Sequence, residues 1–306
     1  MNWLAKALTY KLLSVLPGGE ALYNYAREHI THSLVPNQGR VSQKLEVGLH
    51  YLDWMTEHGL GARFTEGVHL DFGTGWHPTI PLLNYAFGVN RQHLFDIAPN
   101  LNGEKLDQTI KAFLSLVGDP QWPHRSRLRR LPPQLGQTNW RTYLEQLGIT
   151  YHAPYDDAFS SLTGALDVVT STQVLLYVPR SVMPGCFRQI YASLKPGGVF
   201  LATVHLRDIL AGNPYTSADK YNHLRYPPQT WERWFNSSIM HFNRFKARDY
   251  RAFLEQAGFE IAHFEVEPAT GEDYQELNRI KIAACFKQYS SEELAARHLF
   301  FVARKP

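Results

Sequence analysis

The stretch Gly67-Val68-His69-Leu70-Asp71-Phe72-Gly73-Thr74-Gly75-Trp76-His77-Pro78 decides the reading of this chain. Val68 to Phe72 reads as a short strand. Gly73 and Gly75 predict a tight turn, because two residues without Cβ let the backbone bend and approach a ligand closely. Ile80 to Phe87 is amphipathic at helical spacing and predicts the helix that follows. Strand, glycine turn and helix form a common site for small anionic or zwitterionic ligands in α/β proteins.

Outward from this stretch the chain alternates. Strands are expected at Val68–Phe72, His93–Asp96, Ile149–Ala153, Leu166–Ser171, Val199–Val204, Phe259–Val266 and His298–Ala303. Helices are expected at Ile80–Phe87, Leu106–Leu116, Trp140–Leu147, Ser181–Leu194, Asp249–Ala257 and around Leu277–Phe286, with a further N-cap in Ser290-Ser291-Glu292-Glu293. Gly148, Lys195-Pro196-Gly197-Gly198 and Gly258 read as helix stops. This alternation argues an α/β fold with an open, doubly wound, mostly parallel sheet. Residues 1–66 read as a helical N-terminal lid or cap on a ligand-binding domain of residues 67–306. Two long insertions, about 101–147 and 205–245, interrupt that domain. The second holds Tyr215, Tyr221, Tyr226, Trp231, Trp234, Phe235 and Phe242 and reads as part of a lid. Ligands of such sheets bind at the carboxyl ends of the strands, near the point where strand order reverses. That rule gathers Gly73 to His77, Asp96, Asp157 and Ser171 to Val174 around one crevice.

The acids in that crevice describe the ligand. Asp71, at the end of the first strand, suits an ammonium group or an ordered water. Asp96 ends the second strand about 20 residues beyond the glycine turn, where an acid commonly takes both hydroxyls of a ribose. Asp157 follows the third strand, where an acceptor can read an adenine amino group. Together they describe an adenosine whose other end carries an amino acid.

The chain here resembles the class I S-adenosylmethionine-dependent methyltransferases, in particular bacterial small-molecule enzymes of the type 11/12-like kind. Leu70-Asp71-Phe72-Gly73-Thr74-Gly75 matches the first motif and Asp96 the second. Asp167-Val168-Val169-Thr170-Ser171-Thr172-Gln173-Val174-Leu175 matches the fourth-strand segment, and Leu194-Lys195-Pro196-Gly197-Gly198 the turn before the fifth strand. The resemblance covers about 67 to 204 and continues more weakly to the final strand. It implies a Rossmann-like, seven-stranded sheet whose last strand is antiparallel and lies between the fifth and sixth. It implies S-adenosyl-L-methionine as cofactor, held by Asp71, Gly73, Thr74, Gly75, Trp76, Asp96, Ile97, Asp157, Ala158, Thr172 and Gln173. The chain departs from the family in two places. His77 stands where a third glycine is common, and Leu175-Leu176-Tyr177 replaces Leu-Glu-His, which removes a base found in some relatives. A nicotinamide dinucleotide site needs a third glycine where this chain has Pro78.

Methyl transfer is an in-line displacement in which alignment gives much of the rate, and a hydroxyl or protonated amine acceptor also benefits from a base. The candidates are His205, Tyr177 and His77, with His205 first because it directly follows the fifth strand. Asp208 is close behind it in sequence; a metal shared by these two has too few ligands, and no metal is expected. Asn243 and Arg244 are candidates for substrate binding. The acceptor is expected to be a small organic molecule methylated at oxygen or nitrogen, as in natural-product or polysaccharide pathways. Nucleic acid is disfavoured, since no Asn/Asp-Pro-Pro-Tyr follows the fourth strand and Cys186 lies inside a helix. The alternatives are a catalytically silent S-adenosylmethionine-binding scaffold and an RNA methyltransferase using the basic cluster Arg125, Arg127, Arg129 and Arg130.

Composition narrows the setting. With 306 residues, 44% hydrophobic and 19% charged, the chain is an ordinary globular one. A net charge of +3 is too mild to indicate nucleic acid. Two cysteines, Cys186 and Cys285, without metal-ligand spacing predict a reduced, cytoplasmic protein. No apolar run approaches the roughly 18–20 residues of a transmembrane helix. Leu4, Leu8, Leu12 and Leu16 share one helical face, interrupted by Lys6 and Lys11. No small-residue cleavage site follows. The segment therefore reads as a helix packed over the main domain, with weak membrane-surface contact through 1–16 as the alternative. The oligomeric state is left open.

Overall fold

A computed structural model describes residues 3–31, 34–154, 158–211 and 220–306. Seven strands run in chain order: β1 Val68–Phe72, β2 Arg91–Phe95, β3 Ile149–His152, β4 Leu166–Thr172, β5 Leu194–His205, β6 Glu260–Val266 and β7 His298–Arg304. They form one sheet in the order β3-β2-β1-β4-β5-β7-β6. Strands β1 to β4 pair in parallel, with Asp71 opposite Leu94 on one side and Thr170 on the other. At the far edge, Gly197 N–H donates to Lys305 O and Leu206 N–H to Arg297 O. Residue numbers rise on β5 as they fall on β7, so β7 is antiparallel, as the resemblance implied.

The helices are α1 Trp3–Val15, α2 Gly19–Tyr25, α3 Gln38–Glu57, α4 Gly61–Glu66, α5 Thr79–Ala86, α6 Gly103–Val117, α7 Trp140–Gln146, α8 Ala158–Ser161, α9 Met183–Ser193, α10 Pro228–Trp234, α11 Ala247–Ala257, α12 Gly271–Asn278 and α13 Ser291–Ala295. Asparagine caps begin three of them: Asn37, Asn102 and Asn139 accept backbone N–H groups from the first turns of α3, α6 and α7. Ser290 and Glu293 form a capping box on α13, at the N-cap read from the sequence.

Two expectations need correction. The helix read around Leu277–Phe286 starts earlier, as α12, under a capping box of Thr270 and Asp273. Its apolar spacing instead reflects burial: Leu277 and Phe286 enter a cluster with Tyr221, Leu224 and Leu294, against which Ile280 and Ile282 pack. The Lys195-Pro196-Gly197-Gly198 turn lies inside β5, because Gly197 and Gly198 pair with Lys305.

The chain forms two compact units. The first comprises His32–Thr172, Arg188–Leu201 and Ala303–Pro306; the second comprises Met1–Thr31, Gln173–Phe187 and Ala202–Val302. In the first unit α3 crosses α5 at Gly48, where a Cβ would stand 2.6 Å from Leu83 Cδ2. The core there is aliphatic and aromatic, with Leu70, Leu82, Leu83, Leu94, Ile110 and Phe113 fully buried.

In the second unit α1 packs through Trp3, Ala7 and Lys11, spaced four residues apart. Trp3 and Ala7 are buried, and Lys11 Nζ donates to Asn236 O. Trp3 stacks on Tyr226 and contacts Trp231 and Phe235. The Leu4, Leu8, Leu12 and Leu16 stripe, about 100° round the helix from the packed face, is exposed. Among the described residues no helix is long and apolar enough to cross a membrane.

Candidate active site

The glycine turn lies between β1 and α5 in the first unit. Gly73 and Gly75 both have positive φ, 82° and 71°, which a side chain would oppose. Gly73 N–H and Thr74 N–H donate to Phe95 O, tying the turn to the end of β2. A Cβ at Gly75 would meet nothing within 4 Å, so the space above the turn is open.

Asp96 braces this turn from the end of β2. Its Oδ2 accepts Gly75 N–H at 2.7 Å, and its Oδ1 accepts from Ala98 N–H and Asn100 Nδ2 at 3.3 Å. The next residue, Ile97, is 83% exposed, an aliphatic side chain held out beside the turn. Asp71 is buried and accepts hydroxyls from Thr74 at 2.9 Å and Thr170 at 3.0 Å. Burial raises its pKa, against the opposing pull of Thr74, Lys44 and Thr170.

Three residues near the turn escaped the sequence reading. Lys44, from α3, donates to His77 O at 2.9 Å, and its charge acts on both Asp71 and Asp96. Burial lowers its pKa while the two acids pull it back up. Tyr51, also from α3, bonds to Thr172 Oγ1 at 3.1 Å and donates to Ser171 O at 3.3 Å, at the end of β4. Lys105 places its ammonium 4.7 Å from the centre of the Trp76 ring. Helix α3 precedes the glycine turn and α6, with Lys105, follows it; nothing local in either sequence marks these residues, and only the fold brings them to the turn.

His77 is tied at both ring nitrogens. Nε2 lies 2.6 Å from Leu34 O and Nδ1 lies 2.9 Å from Thr109 Oγ1. Burial takes its pKa down to about 4, so the ring is neutral, with Nε2–H donating to the carbonyl. Asp157 lies outside the described residues, as does the Ala158 side chain.

Gln173 follows β4 directly. Its φ is 59°, and its buried Oε1 has no hydrogen-bond partner among the described residues. Gln173 and Arg244, with φ 62°, are the two non-glycine residues with positive φ among the described residues. Strain of this kind clusters at functional sites.

The remaining candidates belong to the second unit. His205 ends β5 and is 9% exposed. Burial first, then the charges of Arg207, Lys246 and Arg297 and the neighbouring His298, take its pKa down to about 3. Asp208 does not pair with it: its oxygens accept from Trp3 Nε1, His223 N–H and Leu210 N–H. Tyr177 is 43% exposed at the residue level, while burial raises the pKa of its hydroxyl. Asn243 Nδ2 donates to Leu175 O and Val178 O, pinning the turn after β4. Arg244 donates to His223 O and Tyr226 O and lies over the rings of Trp231 and Phe286. The described aromatics of 220–245 form this unit's core: Tyr221, Trp231, Phe235 and Phe242 are buried, and Trp234 is the exposed one.

The basic loop is occupied by its own chain. Arg127 pairs with Asp53. Arg130 donates to Tyr85 O, Val89 O and the Asn90 side chain, at the carbonyl end of α5. Arg129 packs against Gly88. Cys186 is buried and its thiol is pushed up to about 12, which leaves it unreactive.

A sheet of this order, with an open glycine turn braced by a strand-end acid, defines a class I S-adenosylmethionine-dependent methyltransferase. Residues 50–263 match the family model described as Methyltransferase domain, and the chain belongs to that family. Its cofactor is S-adenosyl-L-methionine.

Solved structures of similar fold include an S-adenosylmethionine-dependent methyltransferase from Mesorhizobium loti, 16% identical over 83% of this chain and 97% of that one, with TM-score 0.41. Another, from Methanosarcina mazei, is 15% identical over 79% and 93%, with TM-score 0.42. Phosphoethanolamine N-methyltransferase 2 of Haemonchus contortus, solved with S-adenosyl-L-methionine, is 18% identical over 83% and 53%, with TM-score 0.41. A search of curated proteins finds no match.

Proposed function

We propose that this enzyme methylates a small organic acceptor at oxygen or nitrogen, with His205 as the base. The observation that carries the cofactor site is the braced turn with Ile97 standing exposed beside it. In this reading Asp96 takes the ribose hydroxyls and Ile97 covers one face of the adenine; Asp157 and Ala158 keep the cofactor role proposed for them from the sequence. Gly73, Thr74, Gly75 and Trp76 line the amino-acid end. Asp71 faces its ammonium group, and Lys44 its carboxylate. Thr172 and Gln173 close the site at the end of β4. The open space above Gly75 supports this fit.

Bound S-adenosyl-L-methionine supplies a sulfonium methyl that an acceptor lone pair can displace, the S–C bond electrons returning to sulfur. The chain's own groups then have two tasks, orienting the acceptor and removing its proton. His205 removes the proton. Asn243 and Arg244 position the acceptor pocket through the 175–178 turn and the 223–226 segment, where their hydrogen bonds lie. Tyr177, within that turn, is the second candidate for proton removal. His77, with both nitrogens engaged, anchors the glycine turn.

The engaged arginines of 127–130 weigh against the RNA reading. Free Cys186 and Cys285 support a cytoplasmic setting. Residues 67–306 are taken as the catalytic domain and 1–66 as its cap, supported by the reach of Lys44 and Tyr51 to the strand ends. The outward leucine stripe of α1 supports weak membrane-surface contact, which co-sedimentation with anionic vesicles tests.

The principal test is S-adenosylhomocysteine release with a panel of small hydroxyl and amine acceptors. Turnover that falls in His205→Ala with unchanged cofactor affinity supports the reading. Cofactor binding with no turnover on any acceptor favours the silent scaffold.

A further inference from the structure

Three neighbouring strands set three side chains in a row. In the order β5-β7-β6, Leu206 N–H donates to Arg297 O, Arg297 N–H to Glu267 O, and Glu267 N–H to His298 O. This backbone ladder fixes the lateral register of His205, His298 and Glu267 without help from the side chains. His205 Nδ1 lies 2.8 Å from His298 Nε2, and His298 Nδ1 lies 2.5 Å from Glu267 Oε2. The other carboxylate oxygen, Oε1, is held by Arg297 at 2.6 Å.

We infer that Glu267 and His298 are positioning residues for His205, a carboxylate–imidazole–imidazole line that fixes which nitrogen of His205 carries the lone pair. The inference rests on the reading of His205 as the base. A carboxylate paired with an arginine is an acceptor only, so His298 donates to it from Nδ1. Burial keeps the His298 ring neutral despite the raising pull of Glu267, so its Nε2 has no proton and accepts. His205 must then donate from Nδ1, which leaves the lone pair on Nε2. An isolated imidazole has no such restriction; the line imposes it.

The line also answers an electrostatic problem. Arg207, Lys246, Arg297, His223 and His298 all face His205 with charge or potential charge, and they oppose an imidazolium there. A proton taken up at Nε2 makes His205 an imidazolium whose Nδ1–H still donates to His298 Nε2, and the Glu267 carboxylate behind His298 supplies the opposite charge in the same line.

The test uses the full chain with 15N-labelled histidine, and long-range proton–nitrogen correlation spectra to read each ring's tautomer. In the wild type, His205 and His298 should both be protonated at Nδ1 and bare at Nε2. In His298→Phe, the Nδ1–H fraction of His205 should drop from nearly all to a minority. In Glu267→Ala, His298 should lose its tautomer preference, and Glu267→Gln, which retains an accepting oxygen, should restore it. A His205 protonated at Nε2 in the wild type, or one that stays wholly Nδ1–H in His298→Phe, overturns the inference. Near-ultraviolet circular dichroism and S-adenosylhomocysteine calorimetry on each variant confirm that it is folded. If His205→Ala leaves turnover intact while the tautomers follow this pattern, the assignment of the base fails and the line stands. If the tautomers disagree while His205→Ala abolishes turnover, the line fails and the base stands.

Discussion

Replacing Asp96 with alanine tests the cofactor site at its most connected point. Its carboxylate accepts three donors, and the shortest bond holds Gly75, the second glycine of the turn. On the proposed assignment it also takes the ribose hydroxyls. A hydrogen bond to a charged group contributes about 1.5–3 kcal/mol. Loss of the ribose contact alone should thus weaken binding about 10- to 150-fold, at roughly 1.4 kcal/mol per tenfold. The Gly75 N–H, left without its acceptor, should add a separate loss of about 1–3 kcal/mol in folding stability where no water replaces it. Asp96→Asn separates the two. Its remaining oxygen can still accept Gly75 N–H, so stability should recover while affinity recovers only in part. Calorimetry with S-adenosylhomocysteine reads the affinity, and urea unfolding reads the stability. A folded Asp96→Ala protein with wild-type affinity would refute the assignment of the ribose residue.

Lys44→Met should weaken S-adenosylhomocysteine binding by roughly tenfold, the lower part of the charged hydrogen-bond range. It should leave methylthioadenosine, which has no amino-acid carboxylate, unaffected; equal losses for both would sink the carboxylate assignment. Gly148→Ala should lower the urea midpoint, because φ is +73° and the new Cβ would lie 1.9 Å from Asn90 O. The left-handed conformation alone costs about 1–2 kcal/mol, and an unchanged midpoint would show that the β3 entrance relaxes freely. Burial raises Asp208 to about 7 in the folded chain, so the fold retains a proton that the unfolded chain releases near pH roughly 4. The Asp208 contribution is therefore full below that range and is lost as pH rises toward 7. Asp208→Asn should flatten this fall in stability between pH 4 and 7, and identical slopes in both proteins would remove the account.

What the sequence revealed was what is encoded locally. The β1 strand, its glycines and Asp96 lie within one short segment, and their geometry follows from residue type. The Ser290 cap was legible for the same reason. Thr270 and Asp273 carry a similar signal, but the apolar spacing from Leu277 to Phe286 drew the helix too far along the chain. Those residues are apolar because they fill a buried cluster, not because one helix face repeats. Lys44 and Tyr51 were illegible, since only the crossing of α3 over α5 at Gly48 brings them to the strand ends. The place of β7 between β5 and β6 was expected, but the residue register that sets His298 beside His205 and Glu267 is fixed only by the backbone ladder across the three strands, which no local pattern announces. Arg244 also has contacts the sequence did not announce: its guanidinium donates to the His223 and Tyr226 carbonyls, a role that burial creates and no local pattern marks.

The charges around the glycine turn bear on how such a site can release its product. Asp71 and Asp96 contribute two negative charges, and Lys44 returns one positive charge that acts on both. The set is therefore one charge negative when all three are ionised. S-adenosyl-L-methionine has an ammonium, a sulfonium and a carboxylate, one charge positive in sum, and so complements it. S-adenosylhomocysteine has lost the sulfonium and sums to zero. On the proposed assignment the residual negative charge of the site therefore attracts the cofactor and has no net attraction for the product, which favours product release once the sulfonium charge is gone.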